Sequence, residues 1–415
     1  MIINIVVPKL NKTKYTGGLV CILHYANELH SRGHTVNIIP SLPSEEPLWF
    51  KKPFGNFVGL AKTAILLRLF KNIGSIVVSV AKLELFSDPF LFRDKTSILI
   101  SNLLLLIGSR FTSTNIESSL SRDYLSQIIP KANHTIATTY QTALTVKAIG
   151  TGETWYFCQH FEAYFSNESQ SPKFAYVDAI ASYHVGLNLI ANSTWLSKKL
   201  SEETNSKVAL CPNAIDHEVF NKQKKKKNSN KTVTIISYGG RDAEWKGFHD
   251  MANAVKIARE KLPDIQIVWN VYGDALLPED NPIASYQSLG FLNSMQLTEA
   301  YNTSDILLSA SWYESFPLFP IEAMACGLAV ITTSKGTEDY AINNETALVV
   351  EARNCKSIAD AIIALVTDKK KRLYLAENGQ MMSKKFTWEK SGNKLEEILV
   401  EGSLQVLDKN KCPPK

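Results

Sequence analysis

Apolar residues along this chain gather in short runs: too short for buried helices, too unbroken for strands with one wet face. The first, residues 2–7 (Ile-Ile-Asn-Ile-Val-Val), reads as a strand covered on both faces. A polar loop and Gly17-Gly18 follow. Leu19, Ile22, Leu23, Ala26 and Leu29 then recur at helical spacing, and Gly33 stands where a helix C-terminal cap belongs. Residues 35–39 give a second strand. Strand, helix and strand in succession predict βαβ units and a parallel sheet.

Residues 44–130 break that rhythm and read as a mainly helical insertion. Within it, 51–82 carries six basic residues (Lys51, Lys52, Lys62, Arg68, Lys71, Lys82) and no acidic one, interleaved with Phe54, Phe57, Leu66, Leu67, Leu69 and Phe70. Such a stretch suits the surface of an anionic membrane, or else a lid or subunit interface whose apolar stripes face protein. Strands return at 134–139, 154–158 and 186–191, and a helix starts at Thr194. The lysine-rich 221–231 is a solvated loop. A second βα series follows, with strands at 232–238, 265–272, 305–310, 329–333 and 347–350. Helices fall at about 247–262, 294–301, 317–326 and 357–367, and the chain closes with helices at 369–386 and from Trp388. The architecture predicted is α/β: two doubly wound domains facing a cleft, 1–213 and 214–387, with 388–415 as a closing helix and tail.

Composition narrows the function without defining it. At 45% hydrophobic and 20% charged residues the chain is no disordered segment. A net charge of +5 over 415 residues is too mild to argue for nucleic acid. The six cysteines (Cys21, Cys158, Cys211, Cys326, Cys355, Cys412) form no C-x-x-C pair, so neither a zinc site nor a redox motif is expected. The N-terminus lacks a basic stretch before its short apolar run, and no run approaches the ~18 residues of a spanning helix. The expectation is a cytoplasmic protein with free thiols.

The chemistry concentrates in residues 309–333, SASWYESFPLFPIEAMACGLAVITT. A strand ends, a short loop carries Glu314, and a helix beginning near Pro317 carries Glu322. Ligands of open α/β sheets bind at the carboxyl ends of strands, and a helix N-terminus there favours phosphate. A carboxylate accepting from two vicinal hydroxyls is one way to hold a ribose.

Glu314 and Glu322, with seven residues between them and followed by Ala-Met-Ala-Cys-Gly, resemble the E-x7-E signature of retaining glycosyltransferases of GT-B fold, in the large GT4-like, group 1 family. The likeness extends along most of the chain. Tyr238-Gly239-Gly240-Arg241 through Lys246-Gly247 resembles the family's strand-end Arg and Lys-Gly pair. Pro212-Asn213-Ala214-Ile215-Asp216 with Phe220 is similar to its interdomain motif, and Ala191-Asn192-Ser193-Thr194 to a strand end. Gly17-Gly18 is similar to its N-terminal glycine loop, and Gly336-Thr337-Glu338-Asp339 to its post-strand turn.

The resemblance implies two Rossmann-like domains, with the closing helix crossing back to the first. The second domain would hold a nucleotide diphosphate sugar and the first an acceptor, glycan or lipid-linked glycan. Arg241 and Lys246 would bind the diphosphate, Glu322 the ribose and Glu314 the transferred sugar. Gly17 and Gly18 would let the backbone approach phosphate, His160 would stand near the reacting centre, and main chain around Phe291 would meet the base. Apart from the resemblance, loop placement alone makes Tyr15 and Asp339 candidates to line the cleft. Pro317 replaces a usual glycine and has no N–H, so phosphate contacts there fall to Phe316 or Leu318.

The implied activity is transfer of a hexosyl or deoxyhexosyl unit with retention. No Asp-x-Asp-like metal site is visible, so fixed cations and a helix dipole would take a metal's place, and no cofactor is expected. His160 as a structural histidine and Gly17-Gly18 as a simple turn stay open. So do a phosphorylase, a sugar-nucleotide epimerase and a non-catalytic scaffold of the same fold.

Overall fold

The computed structural model describes the chain except residues 14, 60–99, 101–120, 169–173, 224–231, 240–242, 274–282 and 410–415; for 166–168, 174–175 and 403–409 it describes the backbone alone. Most of the expected 44–130 insertion, and all but 51–59 of the basic-aromatic stretch, therefore lie outside the described residues, as does Arg241.

Two parallel sheets organise the rest. The first contains β1 (Ile2–Val7), β2 (Thr35–Pro40), β3 (Asn56–Phe57), β4 (His134–Ala137), β5 (Glu153–Cys158), β6 (Asn188–Ala191) and β7 (Ala209–Leu210), in the order β3-β2-β1-β4-β5-β6-β7. The second contains β8 (Thr232–Tyr238), β9 (Gln266–Tyr272), β10 (Gln287–Gly290), β11 (Ile306–Ser309), β12 (Ala329–Thr333) and β13 (Leu348–Val350), in the order β10-β9-β8-β11-β12-β13. In each, strand order reverses beside the first strand, at β1/β4 and at β8/β11. Those switch points open crevices at the carboxyl ends, where such sheets bind ligands.

Both faces of each sheet are covered, which is why the strands read as unbroken apolar runs. In β1, Ile3, Ile5 and Val7 pack with α1 (Gly17–Ser31), while Val6 joins the opposite core. That opposite face is covered by α2 (Tyr140–Ile149), α4 (Phe174–Tyr183) and α5 (Thr194–Thr204), with the short α3 (Ala163–Glu168) between the first two of these in sequence. In the second sheet Ile235, Ile306 and Leu308 face α6 (Phe248–Lys261) and α9 (Cys355–Thr367). Ile236, Leu307 and Val330 face α8 (Leu318–Ala325), with α7 (Ser294–Asn302) and α10 (Lys369–Ser383) alongside.

The chain crosses between domains twice, side by side. The stretch after β7 meets the stretch after α10 through a bridge between Ile215 and Thr387. The second crossing opens α11 (Trp388–Lys409), which lies along α1 of the first domain. Trp388 stacks on His24 with ring centroids 4.5 Å apart, His34 meets Glu396 at 2.8 Å, and Arg32 donates to the Glu389 carbonyl at 2.9 Å. Gly392 permits this approach: a Cβ there would come within 2.5 Å of the Glu28 Cβ. The Pro212 carbonyl accepts hydrogen bonds from both Tyr25 and Ser391, at 2.7 Å each, pinning the first crossing to α1 and α11.

Several elements differ from the sequence pattern. Helices α2, α3 and α4 and the short strands β3, β7 and β10 were not anticipated. The strand expected over 186–191 begins only at Asn188, because Gly186 takes a left-handed turn (φ 78°). The helix expected from Pro317 begins at Leu318, with Pro317 as its extended N-cap (ψ 127°).

Candidate active site

The β8/β11 switch point assembles the site. After β8 the chain makes a single 3-10 turn, Glu244–Lys246, closed by Gly247 in the left-handed region (φ 70°). Glycine is required there on two counts: the backbone conformation, and the Ala310 carbonyl, which a Cβ would overlap. That contact holds Lys246 against the loop leaving β11. Its Nζ pairs with Glu314 Oε1 at 2.5 Å and sits 4.2 Å from the centroid of the Trp245 ring. Glu314 is 6% exposed. Its carbonyl lies under Gly336, whose positive φ (83°) and lack of a Cβ allow the turn after β12 to close over the loop.

Aromatic rings of both domains surround this pair. Trp245 stacks on Tyr313, with centroids 5.6 Å apart and planes 13° apart. Phe165 of α3 packs against Trp245 at 4.9 Å, Tyr313 at 5.4 Å and His160 at 5.1 Å. His160, just past β5, therefore faces the second domain. Burial lowers its pKa to about 4; the Lys246 charge acts in the same direction and the Glu314 charge opposes it. The imidazole is neutral at physiological pH, and its Nδ1 is buried without a hydrogen-bond partner in the protein.

Glu322 lies one turn inside α8, 8% exposed, with Oε2 unpartnered. Burial raises its pKa to about 8, since a desolvated carboxylate resists ionisation. Pro317 and Pro320 supply no N–H, so Leu318 and Phe319 are the donors left in the first turn of α8. The Phe316 side chain belongs to the core, against Tyr340 and Phe386 at 5.3 and 5.7 Å, so only its backbone can serve a ligand.

The first domain brings up a second helix start. Thr16 caps α1, its hydroxyl accepting from the Leu19 N–H, and Gly17 and Gly18 form the first turn. A Cβ on Gly17 would touch Leu318 at 3.6 Å, and one on Gly18 would touch Gln159 at 3.8 Å. The two helix starts thus face each other across the cleft. At its rim Tyr15 meets the exposed Phe291 edge-on at 6.3 Å. Asp339 spans the domains by accepting from the Thr194 N–H at 3.0 Å, at the start of α5.

Gly17, Gly18, His160, Lys246, Glu314, Leu318 and Glu322 therefore converge, with Phe291 at the edge. Sequence reasoning missed the ring cluster of Phe165, Trp245 and Tyr313, although Trp245 adjoins Lys246 and Tyr313 adjoins Glu314. It also passed over Gln159 and Ser315. Among the described residues no group of three or more His, Cys, Asp or Glu could hold a metal, and no helix is long and apolar enough to cross a membrane.

Residues 219–382, from just before β8 to the end of α10, match the family model described as glycosyl transferases group 1. The second domain is a group 1 glycosyltransferase domain. Among curated relatives, an uncharacterized glycosyltransferase of Bacillus subtilis is 26% identical over 199 residues, which is 46% of this chain and 55% of that protein. A D-inositol 3-phosphate glycosyltransferase of Rhodococcus jostii is 29% identical over 176 residues, 39% of each chain. The chain spans about half the length, or less, of these relatives.

Structural likeness reaches further than sequence likeness. Sucrose-phosphate synthase from Thermosynechococcus elongatus superimposes with a TM-score of 0.66 at 14% identity, over 96% of this chain and 98% of that one. HepE of Anabaena, solved in complex with UDP-glucose, superimposes with a TM-score of 0.61 at 15% identity, over 97% and 100%. At these identities the likeness establishes the fold: the group 1 domain is half of a GT-B architecture whose other half is the first sheet and its helices.

Proposed function

We propose that this protein transfers a hexosyl or deoxyhexosyl unit from a nucleotide diphosphate sugar to a glycan or lipid-linked glycan, with retention and without a metal ion. The observation that carries the reading is the meeting of Lys246, Glu314 and an unpartnered Glu322 at one switch point, directly across from His160 and the glycine start of α1. The solved complex of HepE with UDP-glucose supports a donor of this class.

In this reading Glu322 accepts from the ribose hydroxyls, Lys246 and Arg241 bind the diphosphate, and Glu314 holds the sugar. As the sugar leaves, negative charge grows on the phosphate oxygens. A fixed ammonium and helix N–H groups aimed there stabilise that state more than the ground state. The Lys246–Glu314 pair holds the ammonium in position until a phosphate competes for it. Attack on the face that the leaving group vacates lets the departing phosphate take the acceptor's proton, so no separate base is needed. A lipid-linked acceptor places the enzyme in the cytoplasm at the inner face of the membrane, with 51–82 as its contact.

The first test is a thermal-shift panel of UDP, GDP, dTDP and ADP, followed by NMR of the product's anomeric centre. A nucleotide at one hundred times its dissociation constant should stabilise the protein by about 2.7 kcal/mol. No stabilisation by any nucleotide, or an inverted anomeric centre, would refute the reading.

A further inference from the structure

Gln159 follows β5 on the cleft side and is 6% exposed. Both polar atoms of its side chain, Oε1 and Nε2, are buried without a hydrogen-bond partner in the protein. Native proteins rarely leave a buried amide wholly unpaired, since doing so destabilises the fold. Its surroundings are defined. The backbone carbonyl accepts from Asn192 Nδ2 at 3.0 Å, tying Gln159 to the end of β6. Its Cβ and Cγ lie beside Gly18, whose missing side chain keeps the start of α1 open next to the amide. The next residue is His160, in the electrostatic neighbourhood of Lys246 and Glu314. Ser315, adjoining Glu314, has a buried Oγ that likewise lacks a protein partner.

We propose that the Gln159 amide binds hydroxyls of the sugar being transferred and thereby selects among donor sugars. The proposal rests on the donor reading above and adds to it a residue of the first domain. The chemistry of the amide favours a hydroxyl over a phosphate. An amide offers donors and an acceptor together, and a sugar hydroxyl both gives and takes a hydrogen bond. Phosphate oxygens only accept, so a phosphate would satisfy Nε2 and leave Oε1 unpaired. With the ribose at Glu322, the hydroxyl-bearing group beside His160 and Glu314 is the transferred sugar.

The test is Gln159→Met, which keeps the length of the side chain and removes both polar atoms, with Gln159→Ala as a second variant. The melting temperature of the free protein is measured first, then the affinities for UDP-, GDP- and dTDP-sugars and for their parent diphosphates. Removing an unpaired amide should leave the melting temperature unchanged or raised. Affinity for the parent diphosphate should stay within about twofold, while that for the nucleotide sugar falls about tenfold for each hydrogen bond lost.

A lower melting temperature with unchanged sugar affinity would make Gln159 structural and overturn the proposal. Equal losses for the sugar nucleotide and its parent would overturn it as well, by placing the contact on the nucleotide. Wild-type protein that bound no nucleotide sugar would instead overturn the donor reading, and this assignment with it.

Discussion

If Glu322 holds the ribose as proposed, nucleotide-sugar binding should release a proton from it. Burial holds its pKa at about 8 in the free protein, so roughly nine-tenths of it is protonated at pH 7. A protonated carboxyl has one oxygen committed as a donor. Accepting from two vicinal ribose hydroxyls calls for the carboxylate, so binding must expel the proton. If the bound group returns to the ordinary carboxylate range, the apparent affinity rises about fiftyfold between pH 6 and pH 8, and about 0.9 proton leaves per ligand at pH 7. His160, with a pKa of about 4, stays neutral across that window.

The assay is calorimetric titration with a nucleotide sugar at pH 6, 7 and 8, in buffers of differing ionisation enthalpy. A nucleotide sugar is preferable to the free diphosphate, whose terminal phosphate titrates near pH 6. Buried Glu162, with a pKa of about 7, also titrates here, but Glu322→Gln leaves it in place, so the difference between the two proteins isolates Glu322. The variant should bind with little pH dependence.

Stability carries the opposite sign. The folded pKa is raised above the ordinary 4.5, so the free fold is most favoured below pH 4.5 and loses stability as pH climbs through 8. The whole loss is on the order of 5 kcal/mol. Glu322→Gln should therefore be relatively more stable at pH 8.5 than at pH 5. A flat wild-type affinity profile, or an unchanged slope in the variant, would refute the ribose assignment.

Three other outcomes are expected. Gly247→Ala should lower the melting temperature, with a cost of about 1–3 kcal/mol from its left-handed conformation alone, and should also reduce turnover by displacing Lys246; a variant with unaltered kinetics would contradict the role given to that turn. Trp388→Ala should cost about 3–5 kcal/mol in a urea titration, because a buried ring stacked on His24 is lost; a loss below 1 kcal/mol would mean that α11 is only loosely attached to α1. Activity assayed in EDTA should persist, and its abolition with rescue by Mg²⁺ or Mn²⁺ would refute the metal-free mechanism.

Legibility in the sequence followed burial. Strands covered on both faces, such as β1 and β8, announced themselves as apolar runs. The two-residue strands β3 and β7 left no periodic trace. Helix α2 is written largely in Thr, Ala, Tyr and Gln, residues that mark no clear apolar stripe. Histidines show the limit from another side. His24, His134 and His160 all have pKa values lowered to about 4, each chiefly by burial. His24 stacks on Trp388 and the His134 Nδ1 accepts from the Trp155 indole N–H at 3.2 Å. His160 differs in its place at a strand end facing the cleft. Strand position was readable in the sequence; the unpaired Nδ1 was not. Gln159 escaped notice because an amide at the close of an apolar run has no signature, and its meaning lies in the partners it lacks.

The way charges are paired in the free cleft suits a ligand of the proposed class. Lys246 is the described cation of the site and is already matched by Glu314. The polar groups left unpartnered there are uncharged near neutral pH: the Gln159 amide, the Ser315 hydroxyl, the neutral His160 imidazole and the largely protonated Glu322. An unpaired buried charge would destabilise the free fold far more than an unpaired dipole, so a site that must wait for its ligand leaves dipoles open and keeps its charges paired. A nucleotide diphosphate sugar reverses both conditions. On the proposed reading its phosphates would compete with Glu314 for Lys246, freeing the carboxylate for the sugar, while ribose and sugar hydroxyls would meet Glu322 and Gln159. Binding is then an exchange of partners, and the groups with most to gain, Glu322 in the second domain and Gln159 in the first, lie on opposite walls. A donor that satisfied both would bridge two domains that already meet through Phe165 and Trp245 and through Thr194 and Asp339.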